Sequence, residues 1–295
     1  MNSPLMHISE PPAPATEALW REKLAALREW FAPFSKVVVA YSGGVDSSVV
    51  LRLAHEALGP GAIGVIGRSD SYAEREMRQA LEQAGAFGAR VEVVTTGELS
   101  DPAFRSNPTD RCYHCKSELY RELAELARRE GAQVVVDGTI ADDLGDWRPG
   151  RRAAEEHEVR SPLAELGFTK PEVRAVASVL GLGSSAKPAS PCLASRIPYG
   201  TEITRENLHM VEAAEDLLIS LGLTELRVRH HGDLARIEVP TSDFGRLLDR
   251  HTRESLIDGL KRLGYRHITL DLQGFRSGSL NEGLSGLAGN TVKKT

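Results

Sequence analysis

The strongest constraint on the fold is a hydrophobic run that leads directly into a pair of glycines. Residues 37–48 read VVVAYSGGVDSS, so three consecutive valines stand just before Ser42 and the glycine pair. A continuous β-branched run is typical of a strand that is buried on both faces of a parallel sheet. We expect a helix to begin near Val45 or Asp46 and to end at about Leu58. The run therefore predicts a strand, a tight loop and a helix in succession.

The predicted loop is suited to binding a phosphate group. Gly43 and Gly44 remove side chains where the backbone must approach an anion, and the helix that follows adds the positive end of its dipole. Ala40, Ser42 and Ser47 complete the predicted phosphate site, in which hydroxyl groups and backbone amides can donate to the same anion. An ordinary glycine-rich turn is the alternative interpretation.

Asp46 is the unusual member of this loop, because a carboxylate repels a polyphosphate unless a cation lies between them. It therefore indicates bound Mg²⁺ or, alternatively, a helix-capping role. The loop has no Lys-Ser/Thr pair of the Walker A type and no Gly-x-Gly-x-x-Gly fingerprint. The sequence SGGVDS resembles instead the PP-loop of the ATP pyrophosphatase superfamily. That resemblance implies cleavage of ATP to AMP and pyrophosphate during adenylation of a substrate.

Strands and helices alternate after the loop, which predicts a parallel sheet. Further strands are predicted at 61–67, 90–95 and 133–137, and helices at 73–84, 116–130 and 171–180. Ligands of such sheets bind outside the carboxyl ends of the strands, so Ser42, Arg68 and Gly138 are expected at one edge. The predicted fold class is α/β: a PP-loop, adenine nucleotide alpha hydrolase-like parallel sheet flanked by helices, with a smaller C-terminal α+β domain.

The second half of the chain has a different order of elements. Residues 181–200 are rich in Gly, Ser and Pro and form a candidate junction. The elements beyond it are predicted as a helix at 205–221, strands at 225–230 and 234–239, a helix at 241–263 and a strand at 267–272. We therefore divide the chain into a disordered N-terminus (1–16), a PP-loop domain (17–200), a small αββαβ domain (201–282) and a disordered tail (283–295).

The composition is that of a soluble globular protein without a strong charge bias. The 295 residues are 41% hydrophobic and carry 36 basic against 41 acidic side chains, a net charge of −5. No global basic field is present to drive nonspecific nucleic-acid binding, which weakens the case for a tRNA substrate. No apolar run approaches the roughly 20 residues that cross a bilayer, and residues 1–16 lack the apolar core of a signal peptide. We expect a cytoplasmic protein with no membrane partner.

The chain contains three cysteines, Cys112 and Cys115 in RCYHCK and Cys192 in SPCLASR. So few thiols argue against a disulfide framework. A C-x-x-C pair alone is compatible with zinc, with redox chemistry or with simple packing. Three thiolates can hold three irons of a 4Fe-4S cluster and leave the fourth iron open, whereas structural zinc needs four protein ligands. His114, inside the pair, is poorly placed to be a fourth ligand.

The PP-loop and three later motifs together carry a more specific resemblance. The later motifs are GTIADDLGDWRPG at 138–150, PCLASRIPYGT at 191–201 and DLQGFRSGS at 271–279. They resemble the LarE family over about residues 17–282. The resemblance implies an ATP-dependent sulfur transferase that adenylates a carboxylate of pyridinium-3,5-biscarboxylic acid mononucleotide and replaces its oxygen by sulfur. That family makes the nickel-pincer cofactor of lactate racemase.

The source of the sulfur differs within that family. In one-cysteine members the residue that matches Cys192 gives up its own sulfur and becomes dehydroalanine, whereas other members carry a C-x-x-C as well. This chain resembles the second type, which implies Cys112, Cys115 and Cys192 as catalytic residues and ligands of a 4Fe-4S cluster that carries sulfide. The implied partners are the small-molecule substrate, a sulfide donor and further copies in a homo-oligomer. A PP-loop tRNA thiolase and sacrificial use of the Cys192 sulfur stay open.

Acidic and basic side chains supply the remaining candidates. Asp142 and Asp143 join Asp46 as candidate Mg²⁺ ligands that would neutralise departing pyrophosphate, with helix capping or turn chemistry as the alternative for the acidic pair.

A substrate with a phosphate and two carboxylates requires guanidinium groups. The predicted substrate-binding residues are Arg148, Arg196, Arg227 and Arg229. The last two share one strand face, where solvated surface arginines are the alternative, and Arg196 is the stronger candidate because it lies in the Cys192 motif.

Overall fold

The computed structural model describes residues 14–145, 149–188 and 190–276, and Arg148 and the predicted tail lie outside these ranges. The helices are α1 (Pro14–Phe31), α2 (Val45–Leu58), α3 (Glu74–Ala86), α4 (Pro102–Arg105), α5 (Arg111–Glu130), α6 (Pro149–Glu156), α7 (Pro162–Glu165), α8 (Lys170–Val179), α9 (Arg205–Ser220), α10 (Phe244–Leu248) and α11 (Arg250–Arg262). The strands are β1 (Val37–Ala40), β2 (Ala62–Arg68), β3 (Arg90–Thr95), β4 (Val134–Val136), β5 (Arg227–His231), β6 (Leu234–Glu238) and β7 (His267–Leu270).

The first four strands form a parallel sheet in the order β3-β2-β1-β4. β1 is central, and Val37 pairs with Ala62 of β2 on one side and with Val134 of β4 on the other. The three valines of β1 are fully buried, as the continuous hydrophobic run requires. The predicted parallel α/β sheet is therefore confirmed, and the phosphate loop follows its central strand.

Helices cover both faces of this sheet. One hydrophobic cluster joins α1, α2 and α8 to the strands, and a second joins α5 and α6. Helix α1 had no predicted counterpart, although its buried Trp20, Leu24, Leu27 and Phe31 recur at helical spacing. Its first residues overlap the segment predicted to be disordered. In the described residues no helix combines the length and the apolar character needed to cross a membrane.

Helix α5 begins earlier than the predicted helix at 116–130. It starts at Arg111, so the C-x-x-C pair occupies its first turns and not the loop before it. Cys112 and Cys115 are three residues apart and therefore face the same side of the helix. The segment that follows α8 contains two short 3₁₀ turns, Gly183–Ala186 and Leu193–Arg196, in keeping with the predicted irregular junction.

The C-terminal part forms a mixed three-stranded sheet in the order β5-β6-β7. β5 and β6 are antiparallel, whereas β6 and β7 are parallel. The predicted αββαβ order is present, but the predicted helix at 241–263 is wrong as one element. The chain breaks at Asp249, whose side chain caps α11 by accepting from the backbone N–H groups of His251 and Thr252. The boundaries between domains stay a prediction.

Candidate active site

The loop between β1 and α2 leaves the start of the helix without a side-chain cap. Gly44 is the N-cap residue and has no side chain, and the Ser48 hydroxyl donates to the Gly44 carbonyl oxygen at 2.7 Å. The backbone N–H of Ser42 donates to the Ser47 hydroxyl oxygen at 3.2 Å, which closes the loop on itself. Asp46 is the second residue of α2, in its first turn, and does not cap the helix. Amides at such a terminus can donate to a bound anion.

Two glycines allow the close approach of backbone segments around the loop. Gly43 has φ of +67°, and a Cβ atom there would lie 2.5 Å from the Cβ of Ala80 in α3. A Cβ on Gly138, just after β4, would lie 2.7 Å from the backbone nitrogen of Ser47. Both positions therefore need glycine for steric reasons, and the end of β4 packs directly against the start of α2.

A buried aspartate that was not predicted fixes the segment after β4. Asp137 accepts from the Thr139 backbone N–H at 3.0 Å, from the Ser161 hydroxyl at 2.7 Å and from the Tyr120 hydroxyl at 2.9 Å. Burial, together with the Asp137 carboxylate, raises the pKa of Tyr120 well above its usual range. These contacts join α5 to the loop that carries Gly138. The local sequence Asp-Gly-Thr after a buried strand was the available signal.

A cavity of about 350 Å³ opens at the carboxyl edge of the parallel sheet. The predicted nucleotide residues that line it are Ala40, Ser42, Gly44, Asp46, Ser47 and Gly138. Arg68, also predicted there, turns away from this cavity. Its half-exposed side chain pairs with Glu74 at 2.9 Å and lines a separate groove together with Arg205.

The same cavity contains two of the three cysteines. Cys115 and Cys192 both line it and pack against the same hydrophobic cluster, whereas Cys112 is exposed. The Leu193 backbone N–H donates to the Ser71 carbonyl oxygen at 2.8 Å, which ties the Cys192 segment to the loop after β2. The structure thus places two predicted sulfur residues beside the phosphate loop.

Burial, together with the nearby charges of Glu98, Cys192 and Cys112, raises the pKa of the Cys115 thiol well above its usual range. The His114 side chain lines a different cavity from Cys115 and Cys192, and its Nδ1 lies 3.4 Å from Asp101 Oδ2. Among the described residues, no group of three or more histidine, cysteine and acidic side chains is arranged to hold a metal ion as it stands.

The three predicted magnesium ligands line a second, larger cavity of about 630 Å³ that adjoins the first at the loop. Asp46 Oδ2 pairs with Lys170 Nζ at 2.6 Å, while its buried Oδ1 has no hydrogen-bond partner in the described residues. Asp142 accepts from the Lys170 backbone N–H at 2.8 Å, and Asp143 accepts from that of Ile140 at 3.1 Å. The acidic pair thus makes turn contacts, and the orphaned Asp46 oxygen fits a cation.

Six basic side chains of the described residues line the larger cavity. These are Arg111, Lys170, Arg174, Lys187, Arg227 and Arg229. Of these, only Arg227 and Arg229 were predicted. The others come from α5, α8 and the junction segment, which are far apart in sequence, so no local pattern indicated that they meet. Their common location makes this cavity suited to a substrate with several anionic groups.

Two predicted substrate arginines are already paired with buried glutamates. Arg196 donates to Glu215 at 2.8 and 3.2 Å and to the Pro191 carbonyl oxygen at 2.6 Å, and it does not line the larger cavity. Arg229 donates twice to Glu238, both at 3.0 Å, and once to the Ser195 carbonyl oxygen at 2.8 Å. Arg196 is therefore placed to fix the Cys192 segment.

Arg227 differs from both because no carboxylate pairs with it in the described part of the chain. Its guanidinium lies 4.7 Å from the centre of the Phe275 ring and donates to the Arg276 carbonyl oxygen at 3.4 Å. Burial, together with the positive charges of Arg196 and Arg229, lowers the pKa of Arg227 to about 10. A buried guanidinium that has positive neighbours and no carboxylate partner in the described chain would be stabilised by a bound anion.

Comparison with known proteins agrees with this geometry. Residues 22–114 match the family described as NAD synthase. The chain is 43% identical to an uncharacterized protein of Synechocystis sp. over 89% of its own length and 98% of that protein. It is 41% identical to the pyridinium-3,5-bisthiocarboxylic acid mononucleotide synthase of Lactiplantibacillus plantarum, over 89% of this chain and 93% of the relative. A GMP synthase of Aeropyrum pernix is 30% identical over 61% of the chain.

The sheet order, the uncapped loop and the NAD synthase match place the chain in the class of PP-loop enzymes that use ATP. The similarity to the Lactiplantibacillus synthase extends far beyond the loop, over nearly the full length of both proteins. The chain belongs to the LarE family.

Proposed function

We propose that this protein is an ATP-dependent sulfur transferase that converts a carboxylate of pyridinium-3,5-biscarboxylic acid mononucleotide to a thiocarboxylate for nickel-pincer cofactor synthesis. One observation carries the proposal: Cys192 and the phosphate loop line the same cavity. A relative that is 41% identical is named as the synthase of the corresponding bisthiocarboxylic acid mononucleotide. Activation by ATP and attack by sulfur would then occur at one site.

The activation step follows from the chemistry of the carboxylate, which is a poor electrophile. A carboxylate oxygen attacks the α-phosphorus of ATP, the bond to pyrophosphate breaks, and an acyl adenylate with a good leaving group forms. The uncapped amides of α2 and the Lys170 ammonium would stabilise the departing pyrophosphate. Asp46, Asp142 and Asp143 would hold Mg²⁺, which when bound neutralises phosphate charge.

The sulfur step replaces AMP. A sulfide sulfur bonds to the carbonyl carbon, the bond between that carbon and the AMP oxygen breaks, and the thiocarboxylate remains. Cys112, Cys115 and Cys192 would be the donor set for the proposed 4Fe-4S cluster, since they are the chain's only thiols, Cys115 and Cys192 line one cavity, and Cys112 lies three residues from Cys115 on α5. When bound, such a cluster would supply an open iron for sulfide.

Sacrificial use of Cys192 is the second candidate, and the position of this residue in the loop's own cavity favours it. Its Sγ would bond to the carbonyl carbon and expel AMP. The Cβ–Sγ bond would then break as the Cα proton is lost, which leaves dehydroalanine in the chain and the sulfur on the product. The two routes differ in whether the protein turns over more than once.

The test is release of AMP and pyrophosphate by anaerobic protein given ATP, Mg²⁺, a sulfide source and the mononucleotide. We expect release that depends on the mononucleotide, together with a thiocarboxylate product in equal amount. Release that depends instead on tRNA, with salt-sensitive tRNA binding, would identify a tRNA thiolase. ATP binding without pyrophosphate release would identify a nucleotide sensor.

The cluster has a separate test. Protein that is purified without oxygen should be brown and carry about four irons per chain, and Cys115→Ala should abolish both properties. Colourless protein in which Cys192 has become dehydroalanine after one turnover would support the sacrificial route. Size-exclusion chromatography with light scattering would test the proposed homo-oligomer.

A further inference from the structure

Arg111 is the first residue of α5 and precedes Cys112, and it was not among the predicted site residues. Its side chain is almost entirely buried, with 3% of the residue exposed, yet it lines the larger cavity. One guanidinium nitrogen, Nη1, donates to the Asn107 side-chain oxygen at 2.7 Å, while Nε has no hydrogen-bond partner in the described residues. A buried guanidinium normally has a carboxylate beside it. No such partner is present here within the described chain.

The surroundings of Arg111 hold the guanidinium in place without neutralising it. Its central carbon lies 4.6 Å from the centre of the Tyr199 ring, a stacking contact that leaves the guanidinium edge available. The buried Asn107 side chain in turn donates to the carbonyl oxygens of Pro198 and Thr201 at 2.8 and 3.0 Å. Arg111 is therefore fixed by the segment that also carries Cys192. A guanidinium that is held in place and is not paired with a carboxylate of the described chain can donate two parallel hydrogen bonds to a substrate carboxylate.

The position of Arg111 also indicates which anionic group of the substrate it would bind, namely the carboxylate that reacts with sulfur. Arg111 directly precedes Cys112 at the start of α5, and it stacks on Tyr199, which follows Cys192 by seven residues. Arg227, which lies on β5 beside Arg196 and Arg229, belongs to a different group of charges. An anion at Arg111 would thus lie near the thiols, and a second anion at Arg227 would lie near the C-terminal sheet.

We propose that Arg111 binds the pyridinium carboxylate that is activated and thiolated, with Tyr199 holding the guanidinium in position. This inference rests on the proposed function and adds a carboxylate-binding residue to it. Arg111 lines the larger cavity and not the smaller one, whereas the phosphate loop borders both, so we expect substitutions of Arg111 to weaken mononucleotide binding more than ATP binding.

Calorimetric binding to the wild type, Arg111→Gln and Arg111→Lys tests this assignment. Three ligands are compared: the mononucleotide, its riboside without the phosphate, and the mononucleotide whose carboxylates are replaced by carboxamides. We expect Arg111→Gln to lower the affinity for the mononucleotide and for its riboside by the same factor, about 10- to 100-fold. The affinity for the carboxamide analogue should not change. Arg111→Lys keeps the charge but loses the fork, so it should give an intermediate loss.

Arg205→Gln is the matched control, because Arg205 is exposed and lies outside both cavities. ATP affinity and the unfolding temperature of each variant show whether the fold is intact, and Arg111→Lys remains informative if Arg111→Gln does not fold. Equal affinities of wild type and folded Arg111 variants would overturn the assignment. So would a loss that is restricted to ligands with a phosphate. Failure of the wild type to bind the mononucleotide at all would instead overturn the proposed function.

Discussion

The phosphate loop and the face of β5 that carries Arg227 and Arg229 provide positive charge in different ways. The loop offers uncapped backbone amides shaped by glycines, and it commits few side chains to the anion. The β5 face carries two buried arginines, of which Arg229 is neutralised by Glu238, whereas Arg227 has no carboxylate partner among the residues that the structure describes. A loop of this kind can therefore be recognised from its local sequence. Whether an arginine is available to a ligand depends instead on whether the fold places a carboxylate beside it.

The largest expected effect concerns the paired charges of the β5 face. Glu238→Gln leaves the buried Arg229 guanidinium without its carboxylate, so we expect the free energy of unfolding to fall by about 3–5 kcal/mol. Urea unfolding measures this change. Glu254→Gln is the control, because its pair with Arg250 is exposed, and it should cost under about 1 kcal/mol. Equal stabilities of the two variants would show that the β5 pair does not hold the fold.

Glycine substitutions in the phosphate loop should act through steric clashes and not through a change of charge. Gly43→Ala places a Cβ against Ala80 at a positive φ and should lower the rate of pyrophosphate release by about 100-fold, because the loop must shift. Gly85→Ala is the control, because Gly85 lies on α3, outside the loop, and a new Cβ there would meet no atom of the described residues within 4 Å. If both variants release pyrophosphate at one rate, the close approach to α3 is not needed.

The pH dependence of alkylation compares two thiols on the same helix. Below its pKa a thiol loses about tenfold of its thiolate with each pH unit. Because the pKa of Cys115 is raised, its alkylation by iodoacetamide in metal-free protein should keep rising through pH 9, without a plateau. Mass spectrometry of quenched samples gives the rate at each cysteine, and exposed Cys112 is the internal reference. A plateau for Cys115 below pH 8 would contradict the buried environment of its thiol.

The smallest effect is expected at Arg68. The sequence predicts it among the nucleotide-binding residues, but its side chain pairs with Glu74 at the surface and does not line the smaller cavity beside the phosphate loop. We therefore expect Arg68→Gln to change ATP affinity by less than about fivefold, as measured by equilibrium binding. A loss as large as that of Gly43→Ala would show that Arg68 moves onto the nucleotide.

The sequence predicted those parts of the site that depend on short segments. The valine run, the glycine pair and the helix start all lie within residues 37–48, and steric and periodic rules apply directly to them. The meeting of Ser42 and Gly138 followed from one topological rule for parallel sheets. The break at Asp249 was missed because the helical spacing of apolar residues continues across it. Only the cap formed by Asp249 shows that a new helix, α11, begins there.

The basic cavity could not be predicted in the same way. Lys170, Arg111 and Lys187 belong to segments that meet only through tertiary packing. Arg196 was the stronger candidate from its motif, but Glu215, which neutralises it, is contributed by α9. Whether an arginine is available to a ligand depends on such distant partners, and a single sequence does not show them.

The central claim is that a substrate carboxylate is adenylated beside the phosphate loop and then displaced by sulfur. The most direct measurement uses mononucleotide whose carboxylate oxygens carry a heavy isotope, followed by mass spectrometry of the released AMP. We expect one heavy oxygen in AMP for each thiocarboxylate formed, because the carboxylate oxygen stays on the α-phosphorus when sulfur attacks the carbonyl carbon. AMP without heavy oxygen, in reactions that form the thiocarboxylate, would contradict it.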